Sequence, residues 1–317
     1  MNKLYLKIQA LIILFLLIQG TVNAQKDTLS FLHITDLHTI FSQDNYHPEI
    51  VKHRTQKKYD QGIPHLRQFL KKIPQKTHSK LVIATGDLID FFEAKTTDDK
   101  MLSTQVKQFS KLVANSRTPI FFTMGNHDGF TFDWQENKLK HTQNFVGKAR
   151  ALWIQNLDCF KNGIYYSKIM QVGTTTYRLI FLDDSFYKFL PEDKIEVPYV
   201  DKPQLYWLRD QLNESKTDVE IILMHIPFPG NLLQSEVTND LYEILSKSSS
   251  VKLILGGHNH RNTINRFPAK DNNEIVQAQT GALVNDIDNW RQIRLTENDI
   301  QVSFPGKAEA EITIPAK

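Results

Sequence analysis

The chain of 317 residues has one cysteine, Cys159, so it forms no internal disulfide and no thiolate zinc cage. With 13 Gly and 12 Pro it has neither a collagen-like nor a low-complexity composition. Charge of one sign is also missing: 38 Lys+Arg against 35 Asp+Glu leave a formal +3, too little for an electrostatic footprint on nucleic acid. What is present is 41% hydrophobic residues, which excludes disorder and supplies a large core. Eleven histidines are the unusual component.

No apolar run is long enough for a membrane span of about 20 residues. The longest candidate, Ala10 to Ile18, follows Lys3 and Lys7 and precedes Val22-Asn23-Ala24, the order of a secretory signal peptide. We therefore expect residues 1–24 to be removed, no membrane span after cleavage, and an exported, periplasmic or secreted product. Its 36 basic and 35 acidic residues would be almost neutral, so charge names no partner.

Residues 25–317 contain no linker, charge block or repeat and read as one domain. Short β-branched runs (LSFLHIT, KLVIAT, PIFFTM, YRLIFLD, VEIILM, VKLILGG) read as strands buried on both faces. Between them, Ile63 to Ile73, Leu102 to Asn115 and Pro203 to Leu212 have helical periodicity, with Pro203 suited to a first turn. This alternation favours a layered αββα or αβα arrangement. The C-terminal EIVQAQTG, RQIRLT, IQVSF and EITIP alternate and predict added antiparallel strands.

Five of the runs end in metal-binding residue types: Asp36 and His38, Asp87, Asn126-His127-Asp128, His225, and His258 and His260. In α/β sheets, ligands bind beyond the carboxyl ends of strands, so these five ends are expected to converge on one crevice. Glycines before Asp87, Asn126 and His258 would allow the turns that aim the next side chain across the strand end.

The ordered set DLH (Asp36 to His38), GDLID (Gly86 to Asp90), GNHD (Gly125 to Asp128), the lone His225 and GHNH (Gly257 to His260) resembles the calcineurin-like metallophosphoesterase superfamily. The resemblance spans most of residues 25–317. It implies an α/β fold, a layered αββα sandwich of two mixed β-sheets flanked by helices, with a metal site at the C-terminal strand ends. It further implies two divalent metal ions, one held by Asp36, His38, Asp87 and His260, the other by Asp87, Asn126, His225 and His258. Asp87 would bridge ions about 3.5–4 Å apart, and the nucleophile would be a metal-bridging hydroxide. The resemblance makes His127 an uncoordinated catalytic residue that contacts the phosphoryl group or protonates the leaving oxygen. Adjacent Asp128 would orient its ring.

Asp90 is better read as a cap or a hydrogen-bond partner of a metal ligand. It also stands where purple acid phosphatases carry the tyrosine that ligates ferric iron, so the chain departs from that branch. The ligand set favours Mn or Fe, with Zn the alternative. Asn126, His127 and Arg261 are candidate substrate contacts. Phe130, Phe132, Trp134 and Phe228 are expected to pack as walls, and Asp183 and Asp184 to satisfy loop amides. The remaining His33, His47, His53, His65, His78 and His141 receive no role. The expected function is hydrolysis of a small phosphodiester or phosphomonoester. A phosphoprotein phosphatase and a non-enzymatic metal-binding scaffold are the alternatives, and no stable nucleic-acid partner is expected.

Overall fold

The computed structural model describes residues 28–190, 195–215, 217–230, 232 and 239–316; the expected signal peptide lies outside them. The chain enters through β1 (Leu29–Ile34), helices α1 (Pro48–Thr55) and α2 (Gly62–Lys76), β2 (Leu81–Thr85), β3 (Glu93–Lys95) and β4 (Met101–Leu102). Helix α3 (Gln105–Val113), β5 (Ile120–Thr123), the hairpin β6 (Thr131–Gln135) and β7 (Lys138–Thr142), and helix α4 (Val146–Asn156) follow. Then come β8 (Tyr166–Val172), β9 (Thr175–Phe181), β10 (Phe186–Leu190), β11 (Ile195–Tyr199), helix α5 (Lys202–Glu214), β12 (Val219–Leu223) and helix α6 (Asp240–Ser246). The last stretch is β13 (Val251–Gly256), β14 (Thr263–Pro268), β15 (Glu274–Gln279), β16 (Arg291–Leu295), β17 (Asp299–Ser303) and β18 (Ala310–Pro315).

Two six-stranded sheets carry the architecture, in the orders β18-β17-β16-β1-β2-β5 and β14-β15-β13-β12-β9-β8. Both are mixed. Strands β1, β2 and β5 run parallel while β16 pairs antiparallel to β1. In the second sheet β9, β12, β13 and β15 run parallel, with antiparallel β8 and β14 at its edges.

Alternation along β1 explains the layering. Phe31 points between the sheets, where it joins Ile83, Leu179, Ile221, Leu253 and Ile293. Its neighbours Leu32 and Ile34 point outward against Leu66 and Phe69 of α2, Phe109 of α3 and Trp153 of α4. On the far side, Ile180, Ile222 and Ile254 meet Leu205 and Leu208 of α5 and Leu241 and Leu245 of α6. Strands covered on both faces need continuous apolar runs, which is why β2, β12 and β13 are buried at every position. The result is the αββα sandwich. Truncating a side chain such as Phe31 to Ala would cost about 3–5 kcal/mol.

The helices match their sequence signals: Asp201 caps α5 by accepting from the Gln204 amide at 2.9 Å, with Pro203 in the first turn. One expectation needs correction. EIVQAQTG, as β15, is antiparallel to β14 but parallel to β13, because the chain reverses through β14 and returns between the two. The antiparallel reading holds for β16, β17 and β18. A smaller sheet, β4-β3-β6-β7, packs with α1 around Tyr46, Ile50, Phe91, Phe130 and Phe132, beside Ile40 and Val284 from the loops after β1 and β15.

Candidate metal centre

The strand ends converge as expected, through backbone that departs from strand geometry. Asp36, His38, Asp87, His258 and His260 all have left-handed φ, between 41° and 67°. Side chains two apart on a strand share a face but stand about 6.6 Å apart along it, and left-handed residues break that extended spacing so that the two can reach one target. Each such residue costs on the order of 1–3 kcal/mol, a strain that persists where the surrounding structure imposes it. Here the loops after β1 and β2 are zipped together: the Asp36 amide donates to Gly86 O, His38 to Asp87 O and Thr39 to Leu88 O.

The three glycines do not share the reason expected for them. Gly86 adopts φ of 80° and serves the turn. Space constrains all three: a Cβ on Gly86 would also collide with the His225 ring, whereas Gly125 and Gly257 are required by space alone, against the amide of Asp87 and against Thr35 Oγ1 and Asp36 Oδ2.

Two overlapping groups of ligand atoms result. In the first, His260 Nε2 lies 3.2 Å from Asp36 Oδ1 and 3.2 Å from His38 Nε2, which is 3.5 Å from Asp87 Oδ2. In the second, Asn126 Oδ1 lies 3.1 Å from both His225 Nε2 and His258 Nδ1, and His225 Nε2 is 3.4 Å from Asp87 Oδ2. One oxygen of Asp87 therefore faces both groups. Separations of this size suit edges of a coordination polyhedron around a cation with ligands at about 2.0–2.2 Å. Asp36 Oδ1 is buried and faces His260 Nε2 at 3.2 Å and His38 Nε2 at 3.9 Å without a well-formed hydrogen bond, a setting that a cation would relieve. The residues present thus fit divalent metal.

Groups behind the ligands set which atom each presents. His38 Nδ1 donates to Asp90 Oδ1 at 3.1 Å and His225 Nδ1 to Thr85 O at 2.8 Å, so both rings offer Nε2 to the centre. Burial opposes ionisation of Asp87, but the charges of His225 and His127 outweigh it and hold the carboxyl well below its usual range. Burial likewise opposes a proton on His225, yet Asp87 pushes it up to about 10. Burial brings His38 and His258 down to about 4, leaving neutral rings suited to coordination.

His127 stands at the side of this cluster. Its Nδ1 donates to the backbone carbonyl of Asp90 at 2.7 Å, and its amide donates to Asp87 Oδ1 at 2.9 Å. Burial works against its proton, but Asp87 and Asp90 raise its affinity above the ordinary value. Asp128 does not orient this ring. Its oxygens accept from the Ile89 amide at 3.0 Å and the Gly125 amide at 2.7 Å, capping the turn Asn126–Gly129, because adjacent residues in that turn diverge. The role expected of Asp128 falls to Asp90.

Asp90 is in turn gripped by Arg54, which is 4% exposed and donates from Nε and Nη2 at 2.7 Å each. Arg54 also lies 4.5 Å over the Tyr59 ring, and Tyr59 stacks on His38 with centroids 4.2 Å apart. Neither residue carries a motif that sequence reading could have used. Asp184 does more than satisfy a loop: it accepts from the amides of His225 at 2.9 Å and Ile226 at 2.7 Å, fixing the ligand's backbone. Asp183 accepts from Ser185 and pairs with Arg150. Buried His33 links Thr85 and Thr280, a structural role. Phe130, Phe132 and Phe228 are buried walls and Trp134 is half-buried, whereas Arg261 is exposed beside His260.

Residues 29–262 match the calcineurin-like phosphoesterase family. The chain belongs to this family. No curated protein matches it. Among solved structures, it is 14% identical to the purple acid phosphatase PPD1 of yellow lupin, covering 91% of this chain and 53% of that one with a TM-score of 0.52. GAP50, the anchor in the inner membrane complex of Plasmodium, is 14% identical over 91% of this chain and 88% of its own, with a TM-score of 0.51. The NAD nucleotidase of Haemophilus influenzae is 14% identical over 88% and 49%, with a TM-score of 0.48. The chain spans about half the length of the first structures it matches, at 49% and 54%. The groups of candidate ligands at its strand ends suit divalent metal. No helix among the described residues is long and apolar enough to cross a membrane.

Proposed function

We propose that the chain is an exported phosphoesterase that binds two divalent ions and hydrolyses a small phosphodiester or phosphomonoester. The observation that carries this reading is the single carboxylate, Asp87, facing both ligand groups through one oxygen. Asp36, His38 and His260 would hold one ion and Asn126, His225 and His258 the other, with Asp87 shared. Bound there, the ions would supply positive charge against the phosphoryl oxygens and acidify a water.

The chain's own residues do the rest. The Asp90 carbonyl fixes a proton on His127 Nδ1, which leaves Nε2 for the ester. A protonated His127 can then hydrogen-bond the phosphoryl group or give its proton to the departing oxygen. Arg54 neutralises Asp90, so that carboxylate orients His38 without adding net charge beside the phosphate. Export rests on the N-terminal pattern and predicts a product beginning near Gln25, readable by mass spectrometry. Among metals, Mn or Fe is favoured over Zn.

Purified protein with Mn²⁺ should hydrolyse p-nitrophenyl phosphate or its bis ester, with Asn126→Ala and His127→Ala greatly reduced. No turnover of either ester with Mn, Fe or Zn would favour a scaffold instead, a reading that the likeness to the Plasmodium anchor keeps in view. The complete ligand set supports the enzyme.

A further inference from the structure

A cavity of about 530 Å³ opens on the far side of His127, between α1 and the β6–β7 hairpin. That volume is within the range of small-molecule pockets. Phe130 and Trp134 form its apolar wall, with the Phe130 ring 4.9 Å from that of His127. Lys57 and Lys138 stand at it from opposite elements, and both are exposed. Neither makes an ion pair among the described residues, unlike Arg54, whose charge is committed to Asp90. No carboxylate lines the cavity among the described residues. His53 also lines it, with a buried Nδ1 that has no hydrogen-bond partner among the described residues. Burial first, then the charges of Arg54 and Lys57, disfavour a proton on His53.

The ligand cluster provides for one phosphoryl group, and two uncommitted cations beside an aromatic wall provide for something more. We infer that this cavity is the leaving-group subsite and selects phosphate esters whose leaving group carries an aromatic ring and a second anionic group. The inference rests on the phosphoesterase reading, since His127 joins the two sites. The ring would lie against Phe130 and Trp134, and the second anion between Lys57 and Lys138, where opposite charge steers and discriminates.

The test compares phenyl phosphate with 1,4-phenylene bisphosphate, whose leaving group bears the second phosphate. The quantity read is the ratio of kcat/KM for the bisphosphate over the monophosphate, which cancels the intrinsic reactivity when variants are compared. Lys57→Glu/Lys138→Glu, at two exposed positions that do not support the core, should lower this ratio about tenfold, as expected for reversing two rim charges. Raising salt should lower the wild-type ratio and raise that of the variant, whose reversed charges repel the second phosphate. A ratio unchanged by the double substitution overturns the subsite. A chain that turns over neither ester nor bis-p-nitrophenyl phosphate fails the phosphoesterase reading, and the same pair is then read as binding by calorimetry. Equal affinities for the two esters overturn the subsite, and tighter binding of the bisphosphate that the double variant abolishes supports it.

Discussion

Arg54 holds Asp90 by two parallel hydrogen bonds of 2.7 Å, and the same carboxylate accepts from His38 Nδ1 at 3.1 Å. A surface helix is thereby tied to the orientation of a ligand ring. Arg54→Met removes the fork and leaves Asp90 charged, buried and unpaired, which costs about 3–5 kcal/mol of stability. Disturbing the partner of a metal ligand should also weaken metal affinity about 10–100-fold. Arg54→Lys restores the charge without the bidentate geometry and should recover stability more than affinity. Denaturant titration and metal titration, run on both variants, separate the two effects. Equal losses in both variants would show that the bidentate geometry, and not the charge, is what matters.

Asp87 joins both ligand groups and accepts the His127 amide at 2.9 Å. Asp87→Asn keeps an acceptor for that amide while removing the charge. Elemental analysis should find two ions per wild-type chain and fewer than one in the variant, because one bridging carboxylate serves both. A variant that retains a full ion would confine Asp87 to a single group.

The convergence of the candidate ligands was legible because each follows its own apolar strand, and strand ends converge in a doubly covered sheet. What supports the ligands was not. Arg54 reaches Asp90 across 36 residues from the helix PEIVKHRT, in which an arginine carries no motif that marks a buried partner. Asp128 attracted the orienting role by adjacency to His127, but the group that holds the ring is a backbone carbonyl, which has no side-chain signature. The layering was readable from doubly buried runs, whereas the direction of β15 depended on a reversal through β14 that alternation does not encode. Glycine posed a similar ambiguity: Gly86 serves both φ and contact, and Gly125 and Gly257 serve contact alone.

His258 has φ of 67°, where a β-carbon is strained and glycine is not. Comparing His258→Ala with His258→Gly removes the imidazole from both and isolates the backbone. Under chelating conditions the glycine variant should be more stable by about 1 kcal/mol, despite the greater freedom glycine has when unfolded. Urea denaturation decides it. Greater stability of the alanine variant would mean that the neighbouring loops do not enforce the left-handed turn.

Glu220 is fully buried in β12, bonded to Ser215 through one oxygen while Oε2 has no partner among the described residues. Burial pushes its carboxyl from an ordinary 4.5 up to about 7. A carboxyl that keeps its proton better when folded destabilises the fold as pH rises. No penalty exists below about 4.5, it grows between 4.5 and 7, and it is complete above 7. Glu220→Gln stays neutral throughout and retains the size of the side chain. At pH 8 it should therefore be more stable than wild type by about 1–3 kcal/mol, and near pH 4.5 the two should differ little. Melting temperatures across that interval check the sign. A gap that fails to widen with pH would mean that Arg178 or Lys252, both near this carboxylate, offsets its burial.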